Sequence, residues 1–331
     1  MHSAQQDLTA RVARLAAVDG DHQTAFPSLA LTRGSAPTVC MPTISQPSVR
    51  FVVQGRKRAL LRDDVFHYDV LHYLVVSVTV PIMGQAVEAS ADRPFLSLRL
   101  DLDLEEIAGL MLELGERRAT SVAADRALFV ARMDEPLLDA VSRMVKLLDA
   151  PEDIAVLAPA VRREIYYRVL RGELGQRLVD VAERGSDNHG IVRAIEWLKQ
   201  RYAAPLRIED LAGAVHMSPS ALHHRFKAVT AMSPLQYQKH LRLHEARRLM
   251  FADGMGSAAA GYRVGYESPS QFSREYRRLF GAPPRVEIAR LRDRGADSVA
   301  QPRFVAAGHV SRRRGNDRGF CGSPPSTSVV R

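Results

Sequence analysis

The chain has 331 residues, of which 46% are hydrophobic, and this length and composition predict two globular domains rather than one. Its two cysteines, Cys40 and Cys321, lie outside any CxxC or Cys/His cluster, and no apolar run approaches twenty residues, so the sequence argues against structural zinc, secretion and membrane insertion and predicts a cytoplasmic protein. The net charge of +9 is uneven, because residues 188–292 hold 17 Lys and Arg against 8 Asp and Glu while residues 1–187 carry −4.

Residues 1–45 are predicted to form an N-terminal segment that opens with a weakly amphipathic helix and continues through connections bearing Pro and Ser. From Ser48 the apolar period becomes two, which is typical of strands. The predicted strands are 49–54, 57–62, 73–80 and 95–102. The first two are expected to pair as a hairpin through Gly55. Short strands separated by turn residues predict a small β-barrel or sandwich within residues 46–175.

After these strands the apolar period becomes helical, and a short helix is predicted at 105–114. Two further apolar stripes follow at helical spacing, Leu137, Val141, Met144 and Leu148, and then Leu157, Val161, Ile165 and Val169. Such stripes predict a helical hairpin that either packs into the core or forms a dimer interface, and the sequence leaves both open. Residues 176–190 are polar and contain glycine, which predicts a linker.

The N-terminal part shows no catalytic or metal-binding constellation. His67 and His72 are five residues apart, which is the wrong spacing for a His-x-His ligand pair, so structural or exposed histidines are the better interpretation. Cys40 has no basic neighbour in sequence and is expected to be an inert thiol. Since a glycine-rich phosphate loop is also missing, we predict no catalytic residue, no metal and no cofactor.

A ten-residue pattern occurs twice in the C-terminal part, as SPSALHHRFK at 218–227 and SPSQFSREYR at 268–277. Each copy is expected to start a helix, because Ser is a good N-cap and Pro suits the first helical position. Apolar residues then recur at i, i+4 spacing and predict one buried face, formed by Leu222 and Phe226 in the first copy and by Phe272 and Tyr276 in the second. The opposite face of each helix is free to contact a partner.

A short helical pattern precedes each copy, at 208–217 and at 257–266, so the sequence predicts two tandem helix-turn-helix units. The second helix of such a unit enters a major groove of DNA. A continuous helix predicted at 234–251 joins the units and spans roughly 27 Å at about 1.5 Å per residue. A rigid connector of that size could place both recognition helices on adjacent turns of DNA, about 34 Å apart.

Residues 191–292 resemble the C-terminal DNA-binding domain of the AraC/XylS family of bacterial transcription regulators. The most specific match is GYESPSQFSR at 265–274 with FGAPP at 280–284, whereas His216 stands at a turn position where Gly is usual. The motifs QGRK at 54–57 and YLVVS at 73–77 also resemble the N-terminal domain of an AraC-type subgroup. The resemblance therefore implies an α+β protein, with an N-terminal cupin-like β-barrel carrying helices and a C-terminal all-α domain with two helix-turn-helix units.

The resemblance also assigns roles to particular residues. The positions it gives to base reading are Ser220, His223, His224, Ser270, Ser273 and Arg274. Arg274 also has independent support, because a guanidinium can bind guanine through two hydrogen bonds, whereas a histidine pair on a helix face is more often simply solvated. Phosphate contacts are predicted for Arg225, Lys227, Arg277 and Arg278.

The implied partners are double-stranded promoter DNA, RNA polymerase, a small-molecule effector and a second copy of the chain, with no membrane partner. The alternative from another class is an enzyme or DNA-repair protein that carries this DNA-binding module. Residues 293–331 lie outside the resemblance and, being rich in Gly, Pro, Ser and Arg, are predicted to be a disordered basic tail.

Overall fold

The computed structural model describes residues 2–115, 126–173, 175–182 and 187–293. The predicted tail, apart from Asp293, lies outside these ranges. The strands of the N-terminal half are β1 (Gly20–Gln23), β2 (Leu29–Gly34), β3 (Met41–Ser45), β4 (Ser48–Gln54), β5 (Arg56–Leu61), β6 (Asp64–Asp69), β7 (His72–Val76), β8 (Val80–Glu88), β9 (Phe95–Asp101) and β10 (Leu128–Arg132). They confirm the predicted β-rich region.

The strands form two antiparallel sheets that face each other as an open barrel. The larger sheet has the order β1-β2-β9-β4-β7-β10 and the smaller one β3-β8-β5-β6. Alternation along β4 assigns its two faces: Val49, Phe51 and Val53 belong to the core under the helices, whereas Val52 points into the space between the sheets. The larger sheet is therefore covered on both faces.

The predicted hairpin of β4 and β5 is wrong. The strands match the predicted positions, but β4 pairs with β7 and β9, and β5 pairs with β6 and β8. Gly55 carries the chain from one sheet to the other with φ 84°, and a Cβ there would lie 2.3 Å from the carbonyl oxygen of Glu88. Glycine is required by this crossing and not by a two-residue hairpin turn.

The division at residue 45 is also wrong, because β1, β2 and β3 belong to the two sheets. Helix α1 (His2–Leu15) does precede them; its Leu8 and Val12, and Ala16 directly after it, are buried in the same core as β4. Strand β1 reads Gly-Asp-His-Gln and alternates only between half-buried and exposed residues, so hydrophobic periodicity could not reveal it.

Helices α2 (Leu104–Leu114), α3 (Glu135–Lys146) and α4 (Pro151–Arg171) lie over the outer face of the larger sheet. The stripe predicted for α3 is buried apart from Leu148, which is half-buried. On α4, Ile165 and Val169 of the predicted stripe are buried and Val161 is half-buried, but Leu157 is 45% exposed and Ile154 and Ala158 take its place in the core.

The linker predicted at 176–190 is wrong as well. Helix α5 (Gly175–Ala182) occupies its first part, with Leu178 and Val179 buried, and helix α6 (Asp187–Arg201) begins before its end. The linker was predicted from the glycines of this region, whereas the apolar face that forms the buried side of α5 is short and spans only two turns. Residues 183–186 lie outside the described ranges.

The C-terminal part continues with α7 (Ile208–Ala214), α8 (Pro219–Thr230), α9 (Pro234–Ala252), α10 (Ser257–Arg263), α11 (Pro269–Phe280) and α12 (Pro284–Asp293). Helix α9 is central: it contacts α6, α8, α10 and α12 as well as strands β3 and β8. The interior of the barrel and the core of α6 to α9 form one continuous buried cluster. Of the helices described, none is long and apolar enough to cross a membrane.

Candidate nucleic-acid interface

The first helix-turn-helix unit consists of α7 and α8. The Met217 N–H donates a hydrogen bond to the Ala212 carbonyl at 3.0 Å and so closes the turn. Such a bond is typical of a helix that is followed by a left-handed residue. That residue is His216, with φ 58°. Ser218 then caps α8, and its Oγ accepts from the Ala221 N–H at 3.2 Å.

The second unit, α10 and α11, repeats this geometry with a turn that is one residue longer. The Tyr266 N–H donates to the Gly261 carbonyl at 3.0 Å, and Gly265 is the left-handed residue, with φ 90°. Ser268 caps α11 by accepting from the Gln271 N–H at 3.4 Å. A Cβ on Gly261 would lie 3.0 Å from Cγ of Phe272, so the two helices approach closely at this small residue.

Both predicted apolar faces are buried. Leu222 and Phe226 of α8 and Phe272 and Tyr276 of α11 have no exposed surface. The Tyr276 hydroxyl donates to Glu287 of α12 at 2.8 Å, and the same carboxylate forms a buried ion pair with Arg247 of α9 at 2.7 Å. These contacts fix the orientation of the opposite, exposed face of α11.

On α8 the structure brings together Ser220, His223, His224 and Lys227, which are exposed and line one shallow groove. Their spacing of i, i+3, i+4 and i+7 places them on one side of the helix. Arg225 is half-buried and lies between the buried face and this group, outside the groove.

On α11 the corresponding group is Ser270, Arg274 and Arg277, which are exposed, with Ser273 half-buried beside them. Arg278 is exposed too, but it lines a different surface, the cleft between α9, α11 and the barrel, together with Lys239. Of the four predicted phosphate contacts, Lys227 and Arg277 thus share a face with the predicted base readers, and Arg225 and Arg278 do not.

Direct hydrogen bonds join the barrel to α8 and α9. The Tyr237 hydroxyl of α9, with no exposed surface, donates to the Thr79 carbonyl at 2.8 Å. The Ala127 N–H donates to the Val229 carbonyl at the end of α8 at 2.9 Å, and Arg62 Nη1 donates to Gln236 Oε1 at 3.0 Å. These bonds connect segments that flank the barrel strands to the end of α8 and to the start of α9.

Among the described residues there is no group of three or more His, Cys, Asp and Glu side chains placed to hold a metal ion. Cys40 is half-buried, and its thiol is free.

Two family models match the chain. The model of the AraC-type transcriptional regulator N-terminus matches residues 25–177, and a helix-turn-helix domain model matches residues 211–289. The chain belongs to the AraC family of transcription regulators. The first match begins upstream of β2 and runs into α5, so it includes strands that the predicted boundary at residue 45 had excluded.

Curated relatives of this AraC-type chain are named as transcription regulators. The HTH-type transcriptional activator RhaS of Pectobacterium carotovorum subsp. carotovorum is 27% identical over 137 residues, which cover 41% of this chain and 47% of that protein. The HTH-type transcriptional regulator ArgR of Pseudomonas aeruginosa is 30% identical over 134 residues, which cover 40% of this chain and 41% of that protein. The chain spans about half the length of the curated relatives it matches.

Among solved structures, ToxT from Vibrio cholerae has a TM-score of 0.56 and 11% identity, covering 82% of this chain and 98% of that one. A structure of wild-type ToxT from strain SCE256 with a bound unsaturated fatty acid has a TM-score of 0.52 and 9% identity, covering 79% and 93%. At this identity the likeness shows the fold alone, and it extends over both halves of the AraC-type chain.

One residue of the site was missed by the sequence reasoning. Arg126 precedes β10 and lines the groove of α8, where its Nη1 donates to the Ala228 carbonyl at 3.3 Å and its Nε pairs with Asp64 at 3.0 Å. No pattern in the sequence points to it, because its position depends on how the barrel docks against α8.

Proposed function

We propose that this protein binds specific sequences of double-stranded DNA and regulates transcription from them, in the bacterial cytoplasm. The observation that carries the proposal is the pair of exposed polar faces on α8 and α11, each presented by a capped helix-turn-helix unit in the part of the chain that holds the excess of positive charge. Two such faces in one chain suit two neighbouring segments of major groove.

The length of the connecting helix supports contacts with two adjacent turns of DNA. Helix α9 has 19 residues and spans roughly 28 Å at about 1.5 Å per residue. Base reading is assigned to Ser220, His223, His224, Ser270, Ser273 and Arg274. Lys227 and Arg277 lie one turn further along their helices, where α8 and α11 leave the groove, and they contact phosphates; Arg225 and Arg278 remain predictions of the same kind.

The N-terminal domain is assigned the role of sensing a small-molecule effector. Support comes from the N-terminal family match and from the hydrogen bonds that join the barrel to α8 and α9, through which a change inside the barrel would reach the first recognition helix. The fatty acid bound by ToxT shows that a protein of this fold takes a small ligand. The resemblance adds RNA polymerase as a partner.

A homodimer also belongs to this proposal. Helix α4 exposes Val156 and Leu157, at 75% and 45%, on the side turned away from the core. Two apolar side chains exposed on one helix suit a second copy of the chain better than solvent.

An enzyme or DNA-repair protein with the same DNA-binding module is the alternative. The names of the relatives support regulation instead.

The test is selection of bound duplexes from a random DNA pool by the full chain, followed by footprinting of the enriched sequence. We expect one enriched motif with two conserved blocks, centred about 10 base pairs apart, on one face of the DNA. Enrichment of no common sequence, with binding governed by salt alone, would contradict sequence-specific recognition.

A further inference from the structure

A second feature lies in the space between the two sheets of the barrel. One end of this space is filled by apolar side chains, among them Val52, Leu61 and Val80. The other end holds a cavity of about 300 Å³ whose lining includes the charged side chains of Asp21, Arg50, Lys57, Arg99 and Asp101. Arg50, Lys57, Arg99 and Asp101 are half-buried and Asp21 is exposed. An interior that is apolar at one end and charged at the other needs a physical reason, because charges removed from water, even in part, are costly unless they are paired.

The sheet register places two of these cations side by side. Arg50 of β4 is directly opposite Arg99 of β9, so both guanidinium groups project from the same face. Like charges in this position destabilise a sheet. Arg99 Nε is compensated by Asp101 Oδ1 at 3.0 Å. Among the described residues, the hydrogen-bond acceptors of Arg50 are both neutral, Ser45 Oγ at 3.0 Å and Ser48 Oγ at 3.5 Å.

The third cation comes from the opposite sheet. Lys57 of β5 projects into the cavity, and in the described part of the chain its ammonium has no hydrogen-bond or ion-pair partner; its Nζ lies 5.5 Å from the ring centroid of Phe95. Lys57 is half-buried, and an ammonium partly removed from water normally has hydrogen-bond acceptors or a carboxylate around it. The lone cation therefore marks a position where an acceptor is expected.

The charges in the cavity do not balance. Arg50, Lys57 and Arg99 contribute three positive charges, and Asp21 and Asp101 contribute two negative ones. Asp101 is engaged by Arg99, and Asp21 accepts from Thr32 Oγ1 at 2.6 Å. One positive charge is left over in the cavity that Arg50 and Lys57 both line.

We propose that this cavity binds a small organic anion, with its carboxylate or phosphate between Arg50 and Lys57, and that this anion is the effector; the second statement rests on the function proposed above. A carboxylate or phosphate would accept from both cations and complete their hydrogen bonds. Gln23, Thr43 and Gln46 line the same cavity and provide partners for hydroxyl groups.

The size of the cavity limits the ligand. At about 30 Å³ for each water, it has room for roughly ten waters, which corresponds to a compound of about four to six carbons. The polar lining and this volume exclude a long acyl chain, so the class is a hydroxylated acid or a small phosphate ester.

The experiment measures thermal stabilisation of the full chain by matched compounds at millimolar concentration. The carboxylates are malate, tartrate and gluconate, the phosphate is glycerol 3-phosphate, and the neutral counterparts are glycerol, erythritol and sorbitol. We expect at least one anion to raise the melting temperature and no neutral compound to do so. The carboxylate and phosphate arms distinguish the two sources of the charge. Stabilisation by none of the anions, or equal stabilisation by a neutral counterpart, overturns the proposal.

Variants localise the site. Lys57→Met should lower the affinity for the anion found above by about tenfold to a hundredfold, because one charge-assisted hydrogen bond is lost. Titration calorimetry measures this affinity. Lys57→Gln serves if Lys57→Met unfolds, and Lys146→Met, which removes an exposed lysine from α3, is the control and should bind normally. Unchanged affinity in both Lys57 variants places the anion elsewhere.

The DNA selection is carried out on the same wild-type preparation. If a DNA motif is enriched but no anion binds, this inference alone is wrong. If an anion binds but no motif is enriched, the function proposed above is wrong and the cavity is a binding site without the role of effector site.

Discussion

The two turns of the helix-turn-helix units differ at equivalent positions, and opposite substitutions there should have opposite effects. His216 directly follows Val215, the C-cap residue of α7, with φ 58°, and it is exposed. A left-handed conformation costs a non-glycine residue about 1–2 kcal/mol, while glycine adds about 0.5–1 kcal/mol of entropy to the unfolded chain. His216→Gly should therefore stabilise the protein by about 0.5 kcal/mol, the difference between the two effects.

Gly265 directly follows the C-cap residue of α10 and meets stronger constraints. Its φ is 90°, and a Cβ there would lie 2.1 Å from the carbonyl oxygen of Ala203, which also accepts from Arg242 Nη2 at 3.3 Å. Gly265→Ala incurs the same conformational cost and forces a backbone shift worth about 1–3 kcal/mol. Alanine recovers about 0.5–1 kcal/mol of unfolded-state entropy, so the expected destabilisation is about 1–4 kcal/mol in total.

Urea unfolding of the full chain, followed by circular dichroism, measures both effects. Gly213→Ala is the matched control, because Gly213 lies inside α7 with open space around its Cα. It should stabilise by about 0.5–1 kcal/mol through helix propensity. If Gly265→Ala changes the unfolding free energy no more than Gly213→Ala does, then the described close approach of Gly265 to Ala203 is wrong.

Three further predictions concern buried polar groups. Glu287→Ala leaves Arg247 buried without its carboxylate and should cost about 3–5 kcal/mol in urea unfolding, whereas Asp139→Ala breaks an exposed pair and should cost under about 1 kcal/mol; equal losses would contradict the burial of the first pair. Tyr237→Phe removes the bond to Thr79 and should cost about 1–2 kcal/mol, and a neutral result would mean that this bond does not hold the domains together. Burial, with Arg50 nearby, lowers the pKa of Lys57 from 10.5 to about 8, with Asp21 opposing, so between these values the unfolded chain holds more protons and wild-type stability rises with pH. The Lys57→Met variant should therefore be more stable than wild type, with the largest difference below pH 8 and a smaller one toward pH 10. A difference in unfolding free energy that stays constant across this range would contradict the lowered pKa of Lys57.

Local signals in the sequence were sufficient to predict the two helix-turn-helix units of the C-terminal domain. Ser-Pro at the start of each recognition helix and the apolar pairs that follow are short-range features, and a capped amphipathic helix forms wherever they occur. The exposed faces of α8 and α11 follow directly from this periodicity.

The N-terminal domain depends on pairings between strands that are distant in sequence, and these were not predictable. The two strands predicted within residues 49–62 are present, but the predicted pairing between them is wrong, because Gly55 fits a crossing between sheets as well as a hairpin turn. The cluster of Arg50, Arg99 and Lys57 is likewise visible only once the register of β4 and β9 and the facing sheet are known. Arg126 reaches the groove of α8 through docking of the domains, which leaves no pattern in the sequence.

The measurement that tests the central claim most directly compares Arg274→Ala with Arg277→Ala. Arg274 lies six residues after the cap Ser268, in the part of α11 that faces the floor of the groove, and Arg277 follows nearly one turn later. Both variants are titrated against the selected DNA motif and against scrambled DNA at several salt concentrations. We expect Arg274→Ala to lose about 1–3 kcal/mol on the selected motif and to relax preference at one base pair, and Arg277→Ala to weaken both DNAs alike with a salt slope reduced by about one. Equal loss on both DNAs for Arg274→Ala would contradict base reading by α11.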